Sequence, residues 1–227
     1  MSISEIKHEA KVALSGKWGL AILPELYLFL LNFIPTKIFE IYYTGGFSKW
    51  VDHEGVPLPT TIFGMALSFL LVPVTVSTSW LYLGISRYEK PRILEIFLIY
   101  KEIKIAIKFI FTSIVITVFT LLWSILLIIP GIIRALSYSQ TFFLLKDHPE
   151  YSVLEAINES KIRMKGFKTK LFLLNLSFIG WGILCIFTLG IGILWLAPYI
   201  STSLATFYNE LIYPQSRNHD DMKEQTI

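Results

Sequence analysis

FIFTSIVITVFTLLWSILLIIPGIIRALSYSQTFFLL, residues 109–145, contains one charged side chain, Arg134. As a single helix rising 1.5 Å per residue it would reach roughly 55 Å, close to twice the hydrocarbon thickness of a bilayer. The stretch therefore reads as two membrane-spanning helices, with the turn placed at Pro130-Gly131. Only helices and closed barrels satisfy their own backbone hydrogen bonds in hydrocarbon, and lengths of this kind select the helix.

Working outward, the whole chain divides the same way. Apolar stretches at about 18–33, 62–85, 109–129, 132–145, 171–187 and 191–212 give about six transmembrane helices. The last apolar region splits at Thr188-Leu189-Gly190, where a threonine and a glycine sit between two spanning lengths. The fourth span is the shortest, so it crosses with little tilt, thins the bilayer or re-enters. The 227 residues are 54% hydrophobic and 16% charged, against roughly 25% charged in soluble domains. The expected class is all-α: a polytopic membrane helical bundle.

The second, fourth and sixth spans carry a common phrase. Val76-Ser77-Thr78-Ser79, Leu136-Ser137-Tyr138-Ser139 and Ile200-Ser201-Thr202-Ser203 each follow a proline, at Pro73, Pro130 and Pro198. Three helical hairpins are the economical reading, in units of about 1–88, 89–148 and 149–212, within one membrane domain of 1–212. Residues 213–227 form a polar cytoplasmic tail. Each hairpin is preceded by an amphipathic segment. Ser2 and Glu5 form a capping box ahead of Ile3, Ile6, Ala10 and Ala13, and Ser152 and Glu155 form another ahead of Val153, Ile157, Ser160 and Met164. Pro91 starts the middle one, with Ile93, Phe97 and Tyr100 on one side.

Lysine and arginine gather on one side of this topology. The N-terminal segment, the second and fourth connections and the tail hold all of them except Lys37, Lys49 and Arg134. Cytoplasmic loops are enriched in these residues, so both termini are expected in the cytoplasm. The first 17 residues are polar, no cleavable leader is evident, and the first span is expected to stay in the mature protein. A net charge of +3 implies no nucleic acid partner. Membrane lipids are the partners the composition implies, with Lys161, Arg163, Lys165, Lys168 and Lys170 as candidate contacts to anionic headgroups.

Two constellations could carry more than architecture. Ser77, Ser79, Ser137, Ser139, Gln140, Ser201, Ser203 and Thr206 would form a polar lining if the three units gathered about a common axis. The plainer reading is helix packing, for which Gly180, Gly182, Gly190 and Gly192 are also suited. Glu25 and Arg134 are intramembrane charges, costly unless partnered. Their depths differ, so they are not expected to pair; Lys104, Lys108 or a water cleft would accompany Glu25, and Arg134 would snorkel outward. Asp147-His148-Pro149-Glu150 is the one compact acid and imidazole cluster, and it also reads as ordinary turn chemistry. No zinc-protease helix, phosphate loop or nucleophile elbow is present, Cys185 is the single cysteine, and no metal or cofactor is implied.

An ordered string of motifs adds a resemblance. Ile128-Ile129-Pro130-Gly131-Ile132-Ile133, Leu136-Ser137-Tyr138-Ser139, Glu155-Ala156-Ile157, Ser160-Lys161, Met164-Lys165-Gly166, Leu176-Ser177-Phe178-Ile179-Gly180-Trp181, Thr188-Leu189-Gly190-Ile191-Gly192, Ala197-Pro198-Tyr199 and Phe207-Tyr208 follow one another. The chain resembles the integral membrane family catalogued as domain of unknown function 975, found mainly in Gram-positive bacteria. The resemblance implies a multi-pass protein of the bacterial plasma membrane and brings no reaction with it. The expected role is non-enzymatic, through lipid or protein contacts in envelope homeostasis or protection against membrane-active peptides. The alternative is a transporter or lipid-handling protein that uses the interface between helical repeats.

Overall fold

A computed structural model describes residues 1–212, and among these there is no β-strand. The polar tail expected at 213–227 lies outside the described residues. In chain order the helices are α1 (Ile3–Leu14), α2 (Trp18–Tyr43), α3 (Phe47–Val51), α4 (Leu58–Ser86), α5 (Glu95–Leu98, continued by a 3-10 turn, Ile99–Lys101), α6 (Ile103–Leu126), α7 (Ile128–Tyr138), α8 (Thr141–Asp147), α9 (Val153–Arg163), α10 (Lys168–Phe187) and α11 (Ile193–Ile212).

Among the described residues, five segments are long and apolar enough to cross a membrane: Trp18–Tyr43, Leu58–Ser86, Ile103–Ile125, Ile128–Asp147 and Lys168–Phe187. The sixth expected span corresponds to α11, a full 20-residue helix. It falls outside that set because Ser201, Thr202, Ser203, Thr206, Asn209 and Glu210 dilute its apolar content. Its polar side is sheltered by packing against α1, α2, α4 and α10.

Several boundaries differ from expectation for identifiable reasons. The first span does not stop at Phe33; α2 runs through Pro35 to Tyr43. Proline removes one backbone donor, and beside it the Thr36 hydroxyl donates to the Asn32 carbonyl at 2.7 Å. The break between the third and fourth spans falls at Leu127 (φ −162°, ψ 141°), ahead of Pro130-Gly131. Pro130 is the third residue of α7, inside the first turn, where its missing N–H would have had no intrahelical partner. Gly131 is needed for space. A Cβ there would collide with Ser124 Oγ and lie 2.9 Å from the Ser124 Cα, so the return of α7 along α6 requires glycine. Gly180 and Gly182, expected in tight contacts, have open space where a Cβ would be. Gly190 serves the turn instead, at φ 85° beside Leu189 at φ 52°.

The middle amphipathic helix is reduced to one turn and its 3-10 extension. Its fully buried residue is Ile96, flanked by half-buried Ile93, Phe97 and Tyr100. Capping boxes form at Ser2/Glu5 and Ser152/Glu155. These three segments dock on the long helices in a consistent manner. α5 packs on α4, α9 packs on α6, α7 and α8, and α1 packs on α10, α11 and α4. Ile6 thus shares a core with Leu171, Leu174, Phe178 and Phe207, and Ala156 shares one with Val76, Phe109 and Leu145.

Burial concentrates on α4 after Pro73 and on α11 after Pro198. The outward faces of α2, α6 and α10 are bare, with Ile125 at 82% and Phe187 at 81% exposure. Apolar surface of that extent on helices of spanning length suits a hydrocarbon solvent.

Candidate functional site

The polar residues that the sequence singled out lie on α4, on α7 and the turn after it, and on α11, and their hydroxyls are mostly spent locally. Ser79 donates to the Thr75 carbonyl, Ser137 to Ile133, Ser139 to Leu136, Ser203 to Tyr199 and Thr206 to Thr202. Such back-bonding stabilises a hydroxyl within its own helix and leaves it little capacity for a ligand.

The eight lining candidates do not share one space. Ser79 and Ser201 join Glu25, Leu28, Thr75, Thr78, Tyr82, Ala197 and Ile200 around a cavity of about 350 Å³ between α2, α4 and α11. Ser77 faces a separate cleft of about 470 Å³ bounded by the α5 segment and Lys146. Ser139 is exposed, whereas Ser137, Gln140, Ser203 and Thr206 are buried.

Ser137 and Gln140 flank an interruption of the fourth span, which was expected as one continuous helix. α7 ends at Tyr138 and α8 starts at Thr141. Into the gap comes Ser160 of α9, fully buried. Its hydroxyl donates to the Ser137 carbonyl at 2.8 Å and accepts from the Gln140 backbone N–H at 3.3 Å. A helix broken at bundle depth leaves backbone groups that lipid cannot satisfy, and a side chain from another element replaces the missing partners here. Gln140 Oε1 remains buried without a partner.

At the ends of α4, α8 and α11 lies a second network. Arg87, just past α4, makes a bidentate ion pair with Asp147 of α8. Tyr208 of α11 donates to Asp147 Oδ2 at 2.9 Å, and Arg87 Nε donates to Asn209 Oδ1 at 3.0 Å. Asn209 in turn donates to Ser86 Oγ at 3.0 Å. Immediately inward, Leu83, Phe143, Leu144, Ala205 and Tyr208 form a buried apolar cluster drawn from all three helices. Charged fork-to-fork pairs fix geometry as well as contributing energy. Ion pair and plug together close this end of the inner bundle.

Sequence reasoning assigned Arg87 to a connection and Asp147 to turn chemistry. A signal was available in the repeated phrase, because Arg87 and Asp147 stand at the same offset from Ser77 and Ser137. The rest of the Asp147 cluster disperses. His148 Nδ1 meets Glu150 at 3.1 Å, and its ring stacks on Tyr151. A backbone N–H and His148 hold the Glu150 carboxyl below its ordinary value. Among the described residues no three His, Cys, Asp or Glu side chains come together as a metal-binding group.

Glu25 finds neither Lys104 nor Lys108. Its partner is Tyr82, whose hydroxyl donates to Glu25 Oε1 at 2.8 Å and to the Ala21 carbonyl at 2.9 Å. Lys108 reaches the Pro149 carbonyl instead. Arg134 lies over the Trp123 ring, 4.2 Å from its centroid. In the basic rim, Arg163 pairs with Glu159 and Lys170 with Glu210, while Lys161 and Lys165 are exposed and Lys168 is half-buried. The lipid-facing charge of that rim is therefore smaller than its lysine and arginine count.

A family profile described as "Protein of unknown function (DUF975)" matches residues 1–135 and again 124–214. No curated protein and no solved structure matches the chain.

Proposed function

The chain belongs to the DUF975 family of proteins of unknown function, and from that premise we propose that it is a non-enzymatic, multi-pass protein of the bacterial plasma membrane whose inner bundle is closed and whose work is done by contact with lipid or protein. In this reading six spans form three hairpins, α2 with α4, α6 with α7 and α8, and α10 with α11. Each amphipathic segment docks on the hairpin before it in cyclic order, α5 on the first, α9 on the second and α1 on the third. The lysine and arginine asymmetry supports cytoplasmic termini in this reading. Envelope homeostasis, or protection against membrane-active peptides, is the kind of role such a scaffold would serve.

The observation that carries the proposal is the closure of the inner helices, by Arg87 with Asp147 and Tyr208 over the Leu83, Phe143 and Leu144 plug. A transport pathway along the shared axis would need that end to open. The cavity that holds Glu25, Ser79 and Ser201 favours a second reading, in which the interface of α2, α4 and α11 handles a lipid or solute. Flux from proteoliposomes separates the two. Release of entrapped ions and small dyes at the rate of protein-free vesicles supports the closed scaffold, and faster release that Glu25→Gln abolishes replaces it with the second reading.

A further inference from the structure

α1 presents Ser4, Lys7, His8 and Lys11 along one face, at helical spacings of three and four residues. That face borders an open cavity of about 480 Å³, completed by Ile3, Ser177 and Tyr199. Lys7 Nζ donates to Ser177 Oγ at 3.2 Å and sits 4.3 Å over the Phe178 ring. Burial pushes its ammonium below the ordinary lysine value. Among the described residues neither Lys7 nor Lys11 forms an ion pair, and no carboxylate lines the cavity.

A second cavity adjoins the first, sharing Lys11 and Tyr199 as its wall. It holds about 440 Å³ and is framed by Trp18, Trp181, Leu184, Trp195 and Leu196, reaching Thr188 and Gly192 where α10 turns into α11. From Ser177 to Thr188 the helix rises about 16 Å. Together the two cavities form a groove that runs along α10, largely apolar in its second half, with cations gathered at one end and tryptophans along its sides.

We propose that this groove is a binding site for one anionic phospholipid, its phosphate held by Lys7 and Lys11, and one acyl chain lying between α10 and α11 against Trp181 and Trp195. The assignment rests on the lipid-contact reading above and names its site and headgroup class. Charge complementarity selects the occupant, because unpaired ammonium groups beside an apolar channel match an anion joined to a hydrocarbon chain. The site is distinct from the Lys161 to Lys170 rim, where Arg163 and Lys170 already have carboxylate partners.

The test uses the full chain in detergent with phosphatidylglycerol, phosphatidylcholine or inorganic phosphate, with bound lipid counted by native mass spectrometry. Phosphatidylglycerol is expected to be retained in preference to phosphatidylcholine and not displaced by inorganic phosphate. At about one interaction of headgroup strength per lysine, K7A/K11A should weaken retention about 30-fold. Leu184→Trp, which fills the apolar half without touching a lysine, should also lose the lipid, and K161A/K165A should keep it. Equal retention of phosphatidylcholine, displacement by phosphate, a K161A/K165A loss as large as that of K7A/K11A, or retention by Leu184→Trp would each overturn the assignment. Thermal unfolding of every variant separates loss of the site from loss of the fold. Vesicles that stay tight while phosphatidylglycerol selectivity fails defeat this site alone; leaky vesicles with selectivity intact defeat the closed scaffold alone.

Discussion

Arg87 holds Asp147 by both guanidinium ends, Nη1 to Oδ1 at 2.8 Å and Nη2 to Oδ2 at 2.7 Å, and so ties the end of α4 to the end of α8. The two side chains are 21% and 14% exposed, which places the pair between the weak surface class and the fully buried class. Truncating either partner leaves the other charge, beside the apolar plug, without its bidentate counter-ion. Arg87→Ala or Asp147→Ala should each cost about 2 kcal/mol in thermal or denaturant unfolding in detergent. The doubly apolar variant R87M/D147L should recover most of that loss, because neither charge is then left without its counter-ion. Equal destabilisation by the double variant would mean that the pair is worth more than its desolvation.

Ser160 has a comparable role at the interrupted fourth span. Ser160→Ala removes the hydroxyl that serves both the Ser137 carbonyl and the Gln140 N–H. Leaving buried backbone groups without partners costs about 1–3 kcal/mol. The expected result is a loss of that size together with faster amide hydrogen exchange at Gln140. Unchanged exchange would show that the break is satisfied by other means.

Glycine substitutions should divide by position. Gly131→Ala drives a Cβ into Ser124 and should destabilise by about 1–3 kcal/mol. Gly180→Ala and Gly182→Ala meet open space and should be neutral or stabilising by up to about 1 kcal/mol through helix propensity. Thermal unfolding of the three variants side by side checks the contrast.

The capping boxes predict a pH dependence. The Glu155 carboxyl accepts from the Ser152 backbone N–H and is held below its ordinary value of 4.5, and Glu5 is held likewise by Ser2. A carboxyl with a depressed folded value contributes stability that is full above 4.5 and fades as pH falls through the lower folded value. Both side chains are exposed, so the effect is small. Glu155→Gln should flatten part of the stability change below pH 4.5, and Ser152→Ala should cost about 1 kcal/mol at neutral pH. A slope unchanged by Glu155→Gln would contradict the assignment.

The all-helical class, the helices of spanning length and the two capping boxes were legible because they rest on local chemistry: long apolar runs, and Ser-x-x-Glu spacing. Pro130 misled because proline ends some helices and starts others, and only the position of Leu127 decides which. Gly180 and Gly182 looked like contact residues, yet which side of α10 faces a neighbour is a tertiary fact that spacing alone does not contain. The partner of Glu25 was missed for a related reason. Candidates were sought among lysines, whereas the residue within reach was Tyr82, a hydroxyl on a helix distant in sequence. Arg87 and Asp147 each looked ordinary alone, and their pairing follows from the convergence of α4 and α8 at one end of the bundle.

The most direct test of the closed inner bundle is thiol accessibility on a Cys185→Ser background, with single cysteines at Ser137, Ser203 and Thr206 in native membranes. Membrane-impermeant maleimides applied from each side should leave all three unlabelled until the protein is denatured, while a control cysteine at exposed Lys165 labels readily from one side. Labelling of the inner positions in the folded protein from either side would contradict the account and require a water-filled path between α4, α8 and α11.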